Sequence, residues 1–135
     1  MAGYSGTPLV KKLGFKPPMT VLTVDAPIAY RSWLEGLAPG VEFTQRMPKR
    51  VAAAHVFVTR AADLRVQAAK IRKSLDPAGF VWISWPKKSS GVTTDVTEDT
   101  IREVALPLGF VDVKVCAVTE TWSGLKLVIR KSERK

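Results

Sequence analysis

Residues 53–85 read AAHVFVTRAADLRVQAAKIRKSLDPAGFVWISW, and the order of patterns within them decides the fold. Ala53 to Thr59 is almost wholly apolar, as a strand covered on both faces must be. Leu64, Ala68, Ile71 and Leu75 then fall at the three- and four-residue intervals of one helical face, while Arg65, Lys70, Arg72 and Lys73 take the others. Asp76-Pro77-Ala78-Gly79 reads as a turn, and Phe80 to Trp85, closed by Pro86, as a second buried strand. Strand, helix and strand in that order predict a βαβ unit with parallel strands and a right-handed crossover.

Working back toward the N-terminus, Met19 to Val24 is a β-rich run that Lys16-Pro17-Pro18 separates from a short helix over 8–13. Thr7 and Pro8 read as that helix's cap and first residue, and Gly14 as its stop. After Asp25-Ala26-Pro27, the residues Tyr30, Trp33, Leu34 and Leu37 have helical spacing and predict an amphipathic helix broken by Pro39-Gly40. Val41 to Thr44 makes a short strand and Gln45 to Arg50 a basic loop.

Toward the C-terminus, Lys87 to Val96 is a polar loop. Thr97, Glu98 and Asp99 open a helix with Ile101, Val104, Ala105 and Leu108 on its apolar face, and Pro107 ends it early. Strands over 111–119 and 125–131 are close enough to form an antiparallel hairpin through Glu120 to Gly124. The expectation is one α/β domain over 8–131: a single doubly wound, mainly parallel, Rossmann-like sheet edged by that hairpin. Residues 1–7 read as a loose arm and 132–135 as a basic tail.

At 135 residues the chain can bury a full core without staples. The single cysteine, Cys116, forms no internal disulfide, and no apolar run is long enough to span a bilayer, so the cytoplasm is the expected compartment and no membrane partner is expected. The excess of 21 Lys and Arg over 12 Asp and Glu gives a formal charge of +9, which favours anionic partners. The basic residues are dispersed and the aromatics fall in core positions, so nucleic acid ranks below an anionic small molecule or an acidic protein.

Met19 to Asp25 leading into a helix, Asp76 to Ile83 after the helix marked by Leu64 to Leu75, and Leu108-Gly109-Phe110-Val111-Asp112-Val113 resemble, in order, pieces of class I S-adenosylmethionine methyltransferases. That resemblance implies the sheet order 2-1-3-4-6-5, with one strand and its helix fewer than the family's usual set. Leu13-Gly14-Phe15-Lys16-Pro17, Phe80-Val81-Trp82-Ile83 with Pro86-Lys87, and Trp122-Ser123-Gly124-Leu125 resemble a small bacterial family, domain-of-unknown-function family 3052. This second resemblance implies a bacterial cytoplasmic protein and no particular activity.

Ala26, Pro27, Ile28 and Ala29 stand where the methyltransferase cofactor loop needs glycines. Phe43-Thr44 ends the second strand without an acid placed for a ribose, so no cofactor is expected. Open α/β sheets bind ligands beyond the carboxyl ends of their strands. The candidates there are Asp25, Arg60 and the run Lys87-Lys88-Ser89-Ser90-Gly91, whose cations, hydroxyls and glycine suit a phosphate or carboxylate. Asp25 also suits a helix N-cap. His55 and Cys116 lie inside apolar strands with no second ligand of their kind, so neither a metal site nor a nucleophilic triad is expected. The leading functional reading is a non-catalytic binding or regulatory domain; a divergent methyltransferase and a basic nucleic-acid accessory protein are the alternatives.

Overall fold

The computed structural model describes residues 8–134, so the expected arm over 1–7, the Thr7 cap and the last tail residue lie outside the described residues. Six strands form one sheet in the order β2-β1-β3-β4-β6-β5. They are β1 (Met19–Val24), β2 (Val41–Thr44), β3 (Val51–Phe57), β4 (Leu75–Pro86), β5 (Phe110–Ala117) and β6 (Trp122–Ile129). The first four are parallel, and β6 joins β4 and β5 antiparallel. This is the doubly wound sheet with an antiparallel edge that the sequence order implies.

The helices are α1 (Leu9–Leu13), α2 (Ala61–Ser74) and α3 (Glu98–Ala105). α1 stops at Gly14, whose φ of 76° places it in the left-handed region where glycine meets no steric penalty. α2 and α3 cover one face of the sheet, where Leu22, Leu64, Ile71, Ile83 and Ile101 meet. α1 covers the other, packing Leu9, Leu13 and Phe15 against Trp82, whose indole Nε1 donates to the Leu13 carbonyl at 2.8 Å. Among the described residues no helix is long and apolar enough to cross a membrane.

The helix expected after β1 is not an α-helix. Residues 28–33 form a short 3-10 segment, and the chain turns at Gly36, where φ is 81°. The apolar spacing misled because Tyr30, Trp33, Leu34 and Leu37 all pack on the α1-side core, as a helical stripe would. The flanks favour a looser path: Ile28 is fully exposed and Gly36 breaks the run. A second difference lies at Asp76-Pro77-Ala78-Gly79. Val51 pairs with Leu75 and Ala53 with Phe80, so these four residues bulge out of β4 opposite Ala52. The turn chemistry is real, since Asp76 Oδ1 accepts from the Ala78 N–H at 2.9 Å. It operates inside the strand pairing instead of ending it, and a Cβ at Gly79 would lie 2.8 Å from the Ala52 carbonyl oxygen.

A buried polar chain fixes the 3-10 segment to the sheet. Nδ1 of His55 lies 2.8 Å from the Tyr30 hydroxyl, and its Nε2 lies 2.7 Å from the Ser84 hydroxyl. His55 and Ser84 are fully buried, and the imidazole stacks on Phe57 at 4.4 Å between centroids. A neutral imidazole has one donor and one acceptor, and both hydroxyls can complement it. Burial lowers the His55 pKa from 6.5 to about 3 and pushes the Tyr30 hydroxyl well above the ordinary phenol range.

Because native His55 stays neutral while the unfolded chain's histidine protonates near 6.5, its contribution to stability is complete above that pH. It is lost progressively as pH falls toward about 3. Urea unfolding midpoints measured across this range should therefore drop on acidification. In His55→Leu the drop should be smaller, though the variant should be less stable at neutral pH by about 1–3 kcal/mol because two buried hydroxyls lose their partner. An equal acid loss in both proteins would remove His55 from the account. Ile71, with no exposed surface in the α2 stripe, makes the companion test: Ile71→Asp should abolish cooperative unfolding by burying an unpaired charge.

A candidate ligand site at the carboxyl end of the first strand

Parallel strands are ordinarily joined by a crossover of about a dozen residues or more, usually helical. Here β2 and β3 are both parallel to β1 and flank it, yet only residues 45–50 connect them. The link is too short to hold a helix. It leaves a hollow of about 520 Å³ beside β1, between this link and α2. Leu22, Val24 and Met47 supply apolar wall, while Asp25, Gln45, Gln67 and Lys70 bring one carboxylate, two carboxamides and one ammonium to its rim. The volume suits a small-molecule site.

Asp25 is the one sequence-predicted residue that the hollow contains. Its φ of 55° is the only positive value at a described non-glycine residue, a conformation that aspartate tolerates better than most side chains. Its side chain is exposed and caps nothing: the residue preceding the 3-10 segment is Pro27, and no side-chain capping bond is made there. The N-cap reading of Asp25 is thus replaced by a strained turn that aims the chain away from β1 at the edge of the hollow.

Arg60 is exposed and stands at the cap position of α2 without a side-chain capping bond. That duty falls to Asp95, whose Oδ1 accepts from the Ala61 N–H at 2.7 Å, while Thr94 Oγ1 donates to the Thr59 carbonyl at 2.7 Å. The segment Lys87 to Gly91 forms a hydrogen-bonded 3-10 turn. The Lys87 N–H donates to the Thr121 carbonyl at 2.8 Å. Ser90 Oγ donates to the Lys87 carbonyl and accepts from the Val92 N–H, and Gly91 closes the turn at a φ of 75°. The Ser90 hydroxyl is thereby engaged in shaping the turn. Lys88 and Ser89 are exposed, and neither this turn nor Arg60 borders the hollow that Asp25 enters.

Gln45, Gln67 and Lys70 escaped the sequence reading. Gln67 and Lys70 are three apart on α2 and so share a face, but only the brevity of the 45–50 link exposes that face over β1. Among the described residues no group of three or more His, Cys, Asp or Glu is placed to hold a metal ion.

No family model and no curated protein matches the sequence. Solved structures do share the fold. A SAM-dependent methyltransferase from Aquifex aeolicus superposes with a TM-score of 0.61 at 16% identity, covering 90% of this chain and 87% of its own. The ribosomal protein L11 methylase of Lactobacillus delbrueckii subsp. bulgaricus gives 0.57 at 12%, covering 90% and 75%. The fibrillarin pre-rRNA processing protein of Methanococcus jannaschii gives 0.55 at 13%, covering 92% and 69%. The chain has the methyltransferase-like form of the Rossmann fold.

The two lines of residues near the carboxyl edge should separate in a stability measurement. Asp95→Ala removes the α2 cap and should cost about 0.5–2 kcal/mol in chemical unfolding. Lys88→Ala, at an exposed position, should stay within about 0.5 kcal/mol of the parent. The reverse ranking would mean that the 88–90 turn, and not Asp95, anchors this edge.

Proposed function

We propose that this protein is a divergent methyltransferase-type domain that binds the nucleoside half of an adenosyl ligand such as S-adenosylmethionine in the hollow beside β1. The observation that carries the reading is the coincidence of a methyltransferase sheet order with a polar hollow at the carboxyl end of β1, where open α/β sheets take their ligands. The Asp25 carboxylate can accept from ribose hydroxyls and the Gln45 carboxamide can accept from or donate to them, Gln67 can meet a base edge, and Met47 offers a soft apolar surface for a base. The fit ends at the nucleoside. Ala26-Pro27 supplies a Cβ and a proline nitrogen without a proton where a glycine loop would bring its N–H groups close to a ligand. If S-adenosylmethionine binds, it supplies an activated methyl group, and the residues named above hold its nucleoside.

A second reading, a non-catalytic domain for an anionic small molecule, draws on that same loop and on Lys70, the cation at the rim. The residues Leu13 to Pro17, Phe80 to Ile83 and Trp122 to Leu125 further support placing the chain beside the bacterial domain-of-unknown-function family 3052, and the lone Cys116 supports a cytoplasmic setting.

Isothermal calorimetry on the intact chain with S-adenosylmethionine, S-adenosylhomocysteine and adenosine monophosphate distinguishes the readings. The methyltransferase-type reading expects the two adenosyl ligands to bind, and Asp25→Ala to weaken them by about tenfold through loss of charged hydrogen bonds. Binding of adenosine monophosphate alone, abolished by Lys70→Ala, would transfer the site to the non-catalytic reading. No heat with any of the three would overturn both.

A further inference from the structure

On the face of the sheet opposite the hollow, four lysines converge without a carboxylate. Lys114 of β5 and Lys126 of β6 are direct cross-strand partners. Lys114 Nζ reaches the Lys12 carbonyl at the end of α1, at 3.4 Å. Lys126 Nζ sits 4.5 Å from the centroid of the Phe80 ring, which stacks on Phe15. Lys16 follows Phe15 in the chain, beside the same ring pair, and burial, followed by the fields of Lys114 and Lys16, holds Lys126 below the usual lysine range. Burial raises the Cys116 thiol while the positive charges of Lys12 and Lys114 act in the opposite direction.

Like charges directly opposite each other in an antiparallel pair are destabilising, and here the arrangement is built in. Between Asp112 and Lys114 the β5 register shifts: Asp112 pairs with Leu127 but Lys114 with Lys126, so Val113 is an extra, bulged residue. Without the bulge, Asp112 and Lys114 would lie two apart on one face and compensate. With it, Asp112 turns to the α3 side, where its Oδ2 accepts from Arg102 Nε at 3.1 Å. Among the described residues no ion pair involves Lys12, Lys16, Lys114 or Lys126, and residues 1–7 contain no Asp or Glu.

We propose that the shelf formed by Lys12, Lys16, Lys114 and Lys126 beside the Phe15–Phe80 pair binds a compact multivalent phosphate anion, either a free oligophosphate or the phosphate chain of a nucleotide. The aromatic pair gives Lys126 a low-dielectric floor and a cation–π contact, which strengthens its attraction for an anion. Convergence on one spot favours a compact anion over an extended polymer, which would be tracked by a line of charges.

The test uses the whole protein with sodium tripolyphosphate, adenosine triphosphate and, at matched ionic strength, sodium sulfate. Tripolyphosphate should raise the melting temperature where sulfate does not. The double variant Lys114→Gln/Lys126→Gln should bind it at least about tenfold more weakly by calorimetry, while melting no lower than the parent without ligand, because a repulsive pair has been removed. Equal affinities for tripolyphosphate and adenosine triphosphate would assign the site to the phosphate chain alone; tighter adenosine triphosphate binding, unaffected by Asp25→Ala and Lys70→Ala, would assign it to a nucleotide. No tripolyphosphate effect beyond that of sulfate, or undiminished binding by the double variant, overturns the proposal. So does a short single-stranded RNA that binds more tightly than tripolyphosphate and is not displaced by it.

Discussion

The short link from β2 to β3 constrains the rest of the molecule. Two strands parallel to β1 and on either side of it can be connected only by crossing β1 from the carboxyl end of one to the amino end of the other, and residues 45–50 do so without forming a helix. A segment in that state cannot bury the stripe that a helix would lay against β1. α2, which stands next along this face, therefore shows Gln67 and Lys70 to the space, and the end of β1 shows Asp25. The hollow is the geometric remainder of a crossover with no helix, located where the fold class already places its ligands.

The opposite face solves a related problem by different chemistry. The connection from β1 to β2 also lacks an α-helix, and a single 3-10 segment offers little apolar surface for docking. The chain compensates by pinning Tyr30 to His55 and, through the imidazole, to Ser84 on β4. Each hydroxyl and ring nitrogen would be costly if left unmet in this environment, so the network admits few alternative seats for the segment. The surrounding rings of Trp33, Phe43 and Phe57 pack edge-on or tilted against Tyr30 and one another, and close the polar chain off from water.

Much of this architecture is legible in the sequence because burial on both faces leaves so plain a mark. The runs 19–24 and 41–44 coincide with β1 and β2, the stripe of Leu64, Ala68 and Ile71 is the buried face of α2, and Thr97 caps α3 through a reciprocal bond with Thr100. What escaped depends on contacts between distant residues. Tyr30, Trp33, Leu34 and Leu37 have the spacing of a helix, and only the partner of the Tyr30 hydroxyl, 25 residues away, reveals the other path. Asp25 looks like a cap until the helix it would cap is gone. Gln67 and Lys70 look like solvated helix surface until the brevity of the 45–50 link uncovers them. The Lys87–Gly91 run is legible as a polar loop, but that Ser90 uses its hydroxyl on the turn's own backbone is not, because residue type alone does not give hydrogen-bond partners.

Charge distribution shows the same limit more sharply. The formal charge of +9 is a property of composition, but the facing of Lys114 and Lys126 follows from one extra residue in β5. The bulge at Val113 turns Asp112 toward Arg102, which already holds Glu98 and Asp99, so three carboxylates gather around a single guanidinium on the α3 side. These pairs are half-exposed and screened, and contribute little stability individually. Their larger effect is subtraction: Asp112, which could have neutralised the lysines of the α1 side, is committed elsewhere. The sheet separates the two groups, with an apolar core on each face. The polarity of the protein therefore rests on strand register, and register is set by pairing partners that no window of sequence contains.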